Sequence, residues 1–316
     1  MKHRQIGHSA LLVAPLALGG NVFGWTANEE TSFKILDAFV DAGFNLIDTA
    51  DTYSRWIPGH VGGESETVIG KWFQQSGKRN KVIIATKVGM DMGDGKKGLA
   101  KNYVLKEVED SLKRLQTDHI DLYQSHQDDP ATPLEETLEA YAQLVKQGKV
   151  RVIGASNYKV GRLDEAVEIS KEKAFPTYQC LQPQYNLYDR EDFEKNLEPY
   201  CSENRIGVIP YFSLAAGFLT GKYRTEQDFS KSPRGGGMKK YLNDRGFRIL
   251  KALDEVAEDH ETTPTSVALA WLIAQPSITA PIASATSVKQ FEALAEGAKL
   301  ILDEAFIEKL NEASAY

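Results

Sequence analysis

The chain predicts a single (β/α)8 barrel. Three observations carry this expectation: short apolar runs that each end on a polar residue, helix-patterned stretches that separate them, and an alternation that no linker interrupts. Strand-then-helix repetition predicts a parallel sheet, with chemistry gathered at the carboxyl ends of its strands. Such a barrel takes about 250 residues, so the 316 residues here leave room for extra segments within one domain, 1–316.

In chain order, an amino-terminal segment read as a small hairpin precedes the first strand at Leu16-Ala17-Leu18-Gly19. Asn45-Leu46-Ile47 then runs into Asp48, Val82-Ile83-Ile84-Ala85-Thr86 into Lys87, and Ile120-Asp121-Leu122-Tyr123-Gln124-Ser125 into His126. Val152-Ile153-Gly154-Ala155 runs into Ser156-Asn157, the run from Tyr178 to Leu181 into Gln182, and that from Gly207 to Pro210 into Tyr211. Thr279-Ala280-Pro281-Ile282 is the eighth run. Between the runs, Val104, Leu105, Val108, Leu112 and Leu115 share one helical face, as do Leu134, Leu138, Tyr141, Leu144 and Val145. Thr132-Pro133-Leu134-Glu135 combines a capping box with proline at the first helical position, and Ser287-Val288-Lys289-Gln290 repeats the box. The interval from Pro210 to Thr279 is too long for one crossover helix. It reads as a glycine-rich lid loop (224–243, with Gly235-Gly236-Gly237), an extra helix around 245–259 and a core helix from Pro264.

A net charge of −7, spread along the helices, reads as solubility and argues against nucleic acid or an acidic membrane as partner. The two cysteines, Cys180 and Cys201, fit neither a metal site nor a disulfide framework, so a reducing compartment is expected. No apolar stretch suits export or approaches the ~18 residues of a membrane span, and a cytoplasmic location follows as an expectation.

Asp48, Tyr53, Lys87 and His126 form the candidate catalytic set. A barrel brings the ends of its second, third and fourth strands to one mouth. A phenol is a weak acid, with an ordinary pKa of about 10. A lysine ammonium beside it favours phenolate and is expected to lower that value, while an aspartate keeps the lysine charged and oriented. A histidine nearby can donate to or orient a substrate oxygen. The set suits protonation of a carbonyl oxygen while a nicotinamide or flavin delivers hydride, which no side chain can supply. Taken singly, an aspartate at a strand end is usually a helix cap and a tyrosine a packing residue. A lysine closing a buried run is harder to explain that way, because an unpaired buried charge is costly.

Several motifs together resemble the aldo-keto reductases. They are Asp48-Thr49-Ala50-Asp51-Thr52-Tyr53, Gly63-Glu64-Ser65-Glu66 with Gly70, Ala85-Thr86-Lys87, His126, Gly148-Lys149-Val150-Arg151, Gly154-Ala155-Ser156-Asn157, and Tyr211-Phe212-Ser213-Leu214 leading to Gly217-Phe218-Leu219-Thr220-Gly221-Lys222-Tyr223. They run in family order over nearly the whole chain, and the similarity is closest to bacterial members acting on sugars or small aldehydes. The resemblance implies a TIM barrel and NAD(P)H-dependent carbonyl reduction with Tyr53 as general acid. Lys87 would tune Tyr53, Asp48 would pair with Lys87, and His126 would orient the carbonyl. It further implies that Ser156, Asn157 and Gln182 hold the nicotinamide carboxamide and that Tyr211 stacks on the ring. Ser213, Leu214, Gly217 and Lys222 would wrap the pyrophosphate. Ser284, Thr286 and Gln290 fall where the 2′-phosphate is held, which implies NADP(H). This chain departs from the pattern there, since only Lys289 supplies a cation and Leu294 stands where Asn is common, so NAD is the alternative cofactor.

Gly93-Asp94-Gly95-Lys96-Lys97-Gly98 matches a dinucleotide fingerprint, but the strand run ends near Lys87-Val88 and the next helix pattern begins after Asn102. The stretch therefore reads as an exposed loop. Trp25 and Trp56, with Phe23 and Ile57, are candidate walls for a small carbonyl or sugar substrate, and His60, Asp128 and Asp129 are polar neighbours with no assigned role. A redox-sensing regulatory subunit that binds NADP(H) with little turnover is the second reading. A barrel hydrolase using Asp48 and Glu64 is a third, and would leave Lys87 and Tyr53 without purpose.

Overall fold

The computed structural model describes residues 1–316. β1 (Arg4–Gln5) and β2 (Leu12–Val13) pair antiparallel as the amino-terminal hairpin. Eight strands follow: β3 (Ala17–Gly19), β4 (Leu46–Asp48), β5 (Ile83–Val88), β6 (Ile120–Ser125), β7 (Val150–Ser156), β8 (Cys180–Gln182), β9 (Gly207–Val208) and β10 (Ile282–Ala283). Each of β3 to β8 pairs parallel with the next strand, and β10 pairs with β3. The sheet closes through the segment before β10. Ile278 bridges Val208, the Thr279 amide donates to the Val208 carbonyl at 2.8 Å, and that of Ile282 donates to Pro210 at 2.9 Å. The eighth strand thus lies slightly later than the run that announced it.

The crossovers are α1 (Glu29–Asp41), α2 (Glu64–Ser76), α3 (Lys101–Leu115), α4 (Leu134–Lys146), α5 (Val160–Lys173) and α6 (Glu198–Glu203). α7 (Asp244–Asp259) is the extra helix, α8 (Pro264–Ala274) and α9 (Val288–Gly297) complete the ring, and α10 (Glu304–Ala313) follows. The Asn28, Asn243, Thr263 and Ser287 side chains each accept from the first turn of their helix, which satisfies donors that would otherwise be orphaned. The expected box at Thr132 is not made. α4 starts one residue later, with Pro133 at the N-cap, because the Thr132 hydroxyl donates to the charged Asp129 carboxylate at 2.7 Å. At α9 only half the box forms, since the Gln290 side chain accepts from Thr286 rather than from Ser287.

The barrel interior decides where the site lies. Ala17, Leu46, Ala85, Leu122 and Cys180 form an apolar layer, and Ile6, Leu11 and Val13 of the hairpin segment pack against it. Side chains alternate along a strand, so the next inward residue is two positions on. These are Asp48, Lys87, Gln124, Gly154 and Gln182 on β4 to β8; Lys87, Gln124 and Gly154 pair directly, while Asp48 stands opposite Ala85 and Gln182 opposite Ser156. A polar layer therefore caps an apolar one at the carboxyl end. The segment read as a lid folds into two 3-10 helices, Glu226–Lys231 and Gly235–Tyr241, with Met238 and Tyr241 buried. Gly235 is required there, since a Cβ would sit 1.8 Å from the Phe229 carbonyl oxygen. Gly236 and Gly237 face open space.

Candidate active site

At the centre of the polar layer lies Lys87, with no solvent exposure. Its ammonium donates to Asp48 Oδ2 at 2.6 Å, to the Thr49 carbonyl at 2.8 Å and to Tyr53 Oη at 3.0 Å. All three protons are thereby used, which is how the fold tolerates a buried charge. The second Asp48 oxygen accepts from Gln182 Nε2 at 2.9 Å and Gln124 Nε2 at 3.3 Å. Gln124 went unrecognised in the sequence because it lies inside a strand run rather than at its end. Gly154 makes room for it: a Cβ there would meet Gln124 Cγ at 3.1 Å.

The electrostatics differ from the expectation in one respect. Burial pushes the Tyr53 phenol above its ordinary value, and this outweighs the downward pull of the Lys87 ammonium. The phenol is thus held protonated rather than poised as phenolate. Burial would pull Lys87 down, but the Asp48 carboxylate and the Tyr53 oxygen raise it overall, so it stays charged. His126 is pushed well below the ordinary histidine value by burial and then by the Lys87 ammonium, which makes it a neutral imidazole. Its Nδ1 is buried without a hydrogen-bond partner.

A cavity of about 1390 Å³ opens over this cluster, and Asp48, Tyr53 and His126 line it. Ser156, Asn157, Gln182 and Tyr211 form one wall. Their hydrogen bonds are largely made within the protein. Ser156 Oγ donates to the Gln182 carbonyl, Asn157 Nδ2 to the His126 carbonyl, and Tyr211 Oη to Asn157 Oδ1 at 2.8 Å. Gln182 Oε1 makes no such bond. Asn157 takes a left-handed backbone (φ 57°), which asparagine tolerates better than most residues.

Ser213, Leu214, Gly217 and Lys222 continue along the cavity. Phe212, Ala215 and Ala216 are all left-handed, with φ of 53°, 47° and 54°. Strain of that kind persists where a structure is built around a ligand. Gly217 belongs to the same turn, and its backbone (φ 105°) is one that residues with a side chain rarely adopt. Ser284, Thr286 and Gln290 line the far end, where Ser284 Oγ donates to Asn21 Oδ1 at 2.6 Å. Lys289 is exposed and is not part of the lining.

Residues 15–315 match the Aldo/keto reductase family. The chain belongs to the aldo/keto reductase family. It is 36% identical over 286 residues to aldo-keto reductase YhdN of Bacillus subtilis, covering 89% of this chain and 82% of that protein. It is 34% identical to the uncharacterized oxidoreductase YrpG of the same organism, over 99% of this chain and 95% of that one. It is also 31% identical to L-glyceraldehyde 3-phosphate reductase of Escherichia coli, over 92% of this chain and 86% of that enzyme. Members of the family are NAD(P)H-dependent carbonyl reductases, and this aldo/keto reductase is an enzyme of that kind.

On the open side of this reductase's cavity, Trp25 and Trp56 meet edge to face at 5.7 Å, and Trp56 meets Tyr53 at 5.6 Å. Met90, Met238 and Arg234 also line the cavity and were not read from the sequence. Five proposed neighbours lie elsewhere, and among them Ile57 is half-buried beside Trp56 in the chain without lining the cavity. Phe23 is fully buried beneath the 3-10 turn Gly20–Val22. His60 contacts Ser54 Oγ at 2.9 Å, Asp128 pairs with Arg162, and Asp129 holds the turn before α4. No helix is long and apolar enough to cross a membrane.

Proposed function

We propose that this reductase reduces small aldehydes, ketones or sugar carbonyls with NADPH, reversibly, and that Tyr53 is the general acid. The observation that carries the reading is the hydrogen bond from Lys87 to Tyr53 Oη at the floor of the cavity. Lys87 can only donate, so the phenol's own proton is left for a ligand. When that proton moves to a carbonyl oxygen, the ammonium at 3.0 Å stabilises the phenolate that forms. Asp48 keeps Lys87 charged and in place. His126, held neutral, borders the cavity and orients the carbonyl.

The left-handed strap and the Lys222 ammonium lining the same cavity fit an extended dinucleotide diphosphate. When bound, the reduced nicotinamide supplies the hydride. Gln182, through its free oxygen, with Ser156 and Asn157, would hold the carboxamide, and Tyr211 would pack on the ring. Ser213, Leu214, Gly217 and Lys222 would hold the pyrophosphate, the lysine as a point charge. Ser284, Thr286 and Gln290 would hold the adenosine end, favouring NADP(H) over NAD(H) through hydroxyls and the start of α9. Trp25 and Trp56 form the substrate wall. The relative named as an L-glyceraldehyde 3-phosphate reductase supports a small aldehyde as substrate. A cofactor-binding sensor with little turnover would leave the free Tyr53 donor unused, and no observation favours it.

The test is NADPH consumption with a series of aromatic and sugar aldehydes, with Tyr53→Phe as control. Turnover by the wild type that collapses in the variant supports the assignment. Turnover that survives the variant overturns the proton donor, and absence of nucleotide binding overturns the reading as a whole.

A further inference from the structure

Arg234 is the one guanidinium lining the cavity, and its side chain makes no hydrogen bond or ion pair with the protein. Its Cζ lies 5.7 Å from the Trp25 ring centroid. Trp25 in turn meets Trp56, and Trp56 meets Tyr53, at 5.7 and 5.6 Å. Three successive contacts therefore lead from the candidate proton donor to an unpaired cation. Arg234 is half-buried, and burial lowers its pKa from the ordinary arginine value, with the Tyr53 and Tyr223 phenols acting in the opposite direction. A partly desolvated guanidinium without an anion is unfavourable unless a ligand supplies one.

The charge balance of the cavity points the same way. The chain as a whole carries −7, yet the cavity lining holds Lys222, Lys231, Arg234 and Lys240 against a single acid, Asp48. Asp48 is already neutralised by Lys87, and Lys231 pairs with Asp228. The pyrophosphate strap accounts for Lys222, and Lys240 is exposed. Arg234, carried on the substrate side with the two tryptophans, is left over. A planar guanidinium with several donors suits a carboxylate or phosphate, which it can grip through two parallel bonds.

We propose that Arg234 selects a carbonyl substrate bearing an anionic group, a carboxylate or a phosphate, with the tryptophans lining the path between that group and the carbonyl. The proposal rests on the reductase reading above and names its substrate class. The experiment compares kcat/KM for matched pairs: succinic semialdehyde against butanal, and glycolaldehyde phosphate against glycolaldehyde. Which pair shows the larger ratio distinguishes carboxylate from phosphate. The wild type is expected to prefer the anionic partner, and Arg234→Gln to reduce that preference by about 10- to 100-fold, the range of a charged hydrogen bond. Arg234→Lys should restore part of it, and the preference should weaken with added salt. Equal wild-type kcat/KM for both members of each pair overturns the proposal while leaving the reductase reading intact. So does an Arg234→Gln variant that raises KM for NADPH without changing the ratio, since the arginine would then serve the cofactor. A readout independent of turnover is succinate binding to the NADP+-saturated protein by calorimetry. Binding that Arg234→Gln abolishes would support the anion site even where no aldehyde turned over, an outcome that would overturn the reductase reading alone.

Discussion

The Lys87 ammonium donates to the phenol oxygen of Tyr53 over 3.0 Å, and this direction settles where the phenol's own proton points. An ammonium has no lone pair, so the Tyr53 O–H cannot be turned towards it. The other two ammonium protons go to Asp48 and the Thr49 carbonyl, and Lys87 itself does not line the cavity. The chain presents a phenol donor backed by a fixed charge.

Replacing Tyr53 with Phe removes the donor and leaves the ring that packs on Trp56. Turnover with an aldehyde should fall at least ~100-fold, as expected for loss of a general acid. NADPH affinity, read by fluorescence titration, should change little, because the proposed cofactor-binding residues, among them Ser156, Asn157, Gln182 and Lys222, are left in place. Retained turnover would place the proton donor elsewhere.

Lys87→Met should cost stability as well as activity. It strands the Asp48 carboxylate, 2% exposed, with only the Gln124 and Gln182 amides for company. Breaking a buried ion pair from one side costs about 3–5 kcal/mol, much of it the penalty on the remaining charge. The double variant Lys87→Met/Asp48→Asn should therefore resist urea better than the single one, while both lose at least ~100-fold in turnover. A double variant less stable than Lys87→Met would show that the pair is not the main term.

Two opposed shifts set the pH behaviour. Burial raises the Tyr53 phenol, so kcat/KM for reduction should be flat through neutrality and decline only above about pH 10, when the proton to be donated is lost. His126 is shifted the other way, by burial and the Lys87 ammonium, so no limb is expected near its ordinary value of about 6.5. Its stability linkage has a definite sign. A depressed folded pKa contributes stability that is present above the unfolded value and lost as pH falls, because the unfolded chain takes up a proton that the folded one does not. Urea midpoints should drop below about pH 6.5 in the wild type, and His126→Gln should remove that component.

How much of this was legible follows from strand geometry. Asp48, Lys87 and Gln182 each stand two positions beyond an apolar inward residue of the same strand, namely Leu46, Ala85 and Cys180, so the polar ends of the runs announced the polar layer. Gln124 has the same relation to Leu122, but a further residue of its run follows it, and register rather than run ends reveals it. Phe23 read as a cavity wall because it follows the first strand at the barrel mouth, whereas the turn Gly20–Val22 precedes a fully buried ring. Arg234 lies in a stretch with no helical or strand period, so nothing local says that it faces the cavity. The direction of the Tyr53 shift was misread for a related reason: the charges are written in the sequence, but the burial that outweighs them belongs to the fold.

Asp51 offers a test away from the donor. It is fully buried two residues before Tyr53, and burial raises its carboxyl well above the ordinary range, reinforced by Glu66 and Glu107 and opposed by Arg114. A raised folded pKa gives stability that is complete below the unfolded value, about 3.9, and is lost as pH rises through the folded one. Asp51→Asn removes that loss. Its stability relative to the wild type should increase from acid to neutral pH in urea titrations, and a constant difference would show that Asp51 does not titrate within that range.

On the proposed reading, the start of α9 sets cofactor preference. Ser287 caps the helix, Thr286 is held by the Gln290 side chain, and neither Arg nor Lys lines the cavity there. A helix N-terminus with hydroxyls attracts a phosphate, but a bonded guanidinium would attract it more strongly. NADPH should therefore be preferred to NADH by only about tenfold in kcat/KM, a helix-dipole-sized effect. Gln290→Arg should widen the ratio by about a further 10-fold or more, the value of a charge-assisted hydrogen bond, mainly through KM for NADPH. A wild-type preference for NADH, or a variant ratio that does not move, would show that the 2′-phosphate is not read at this helix.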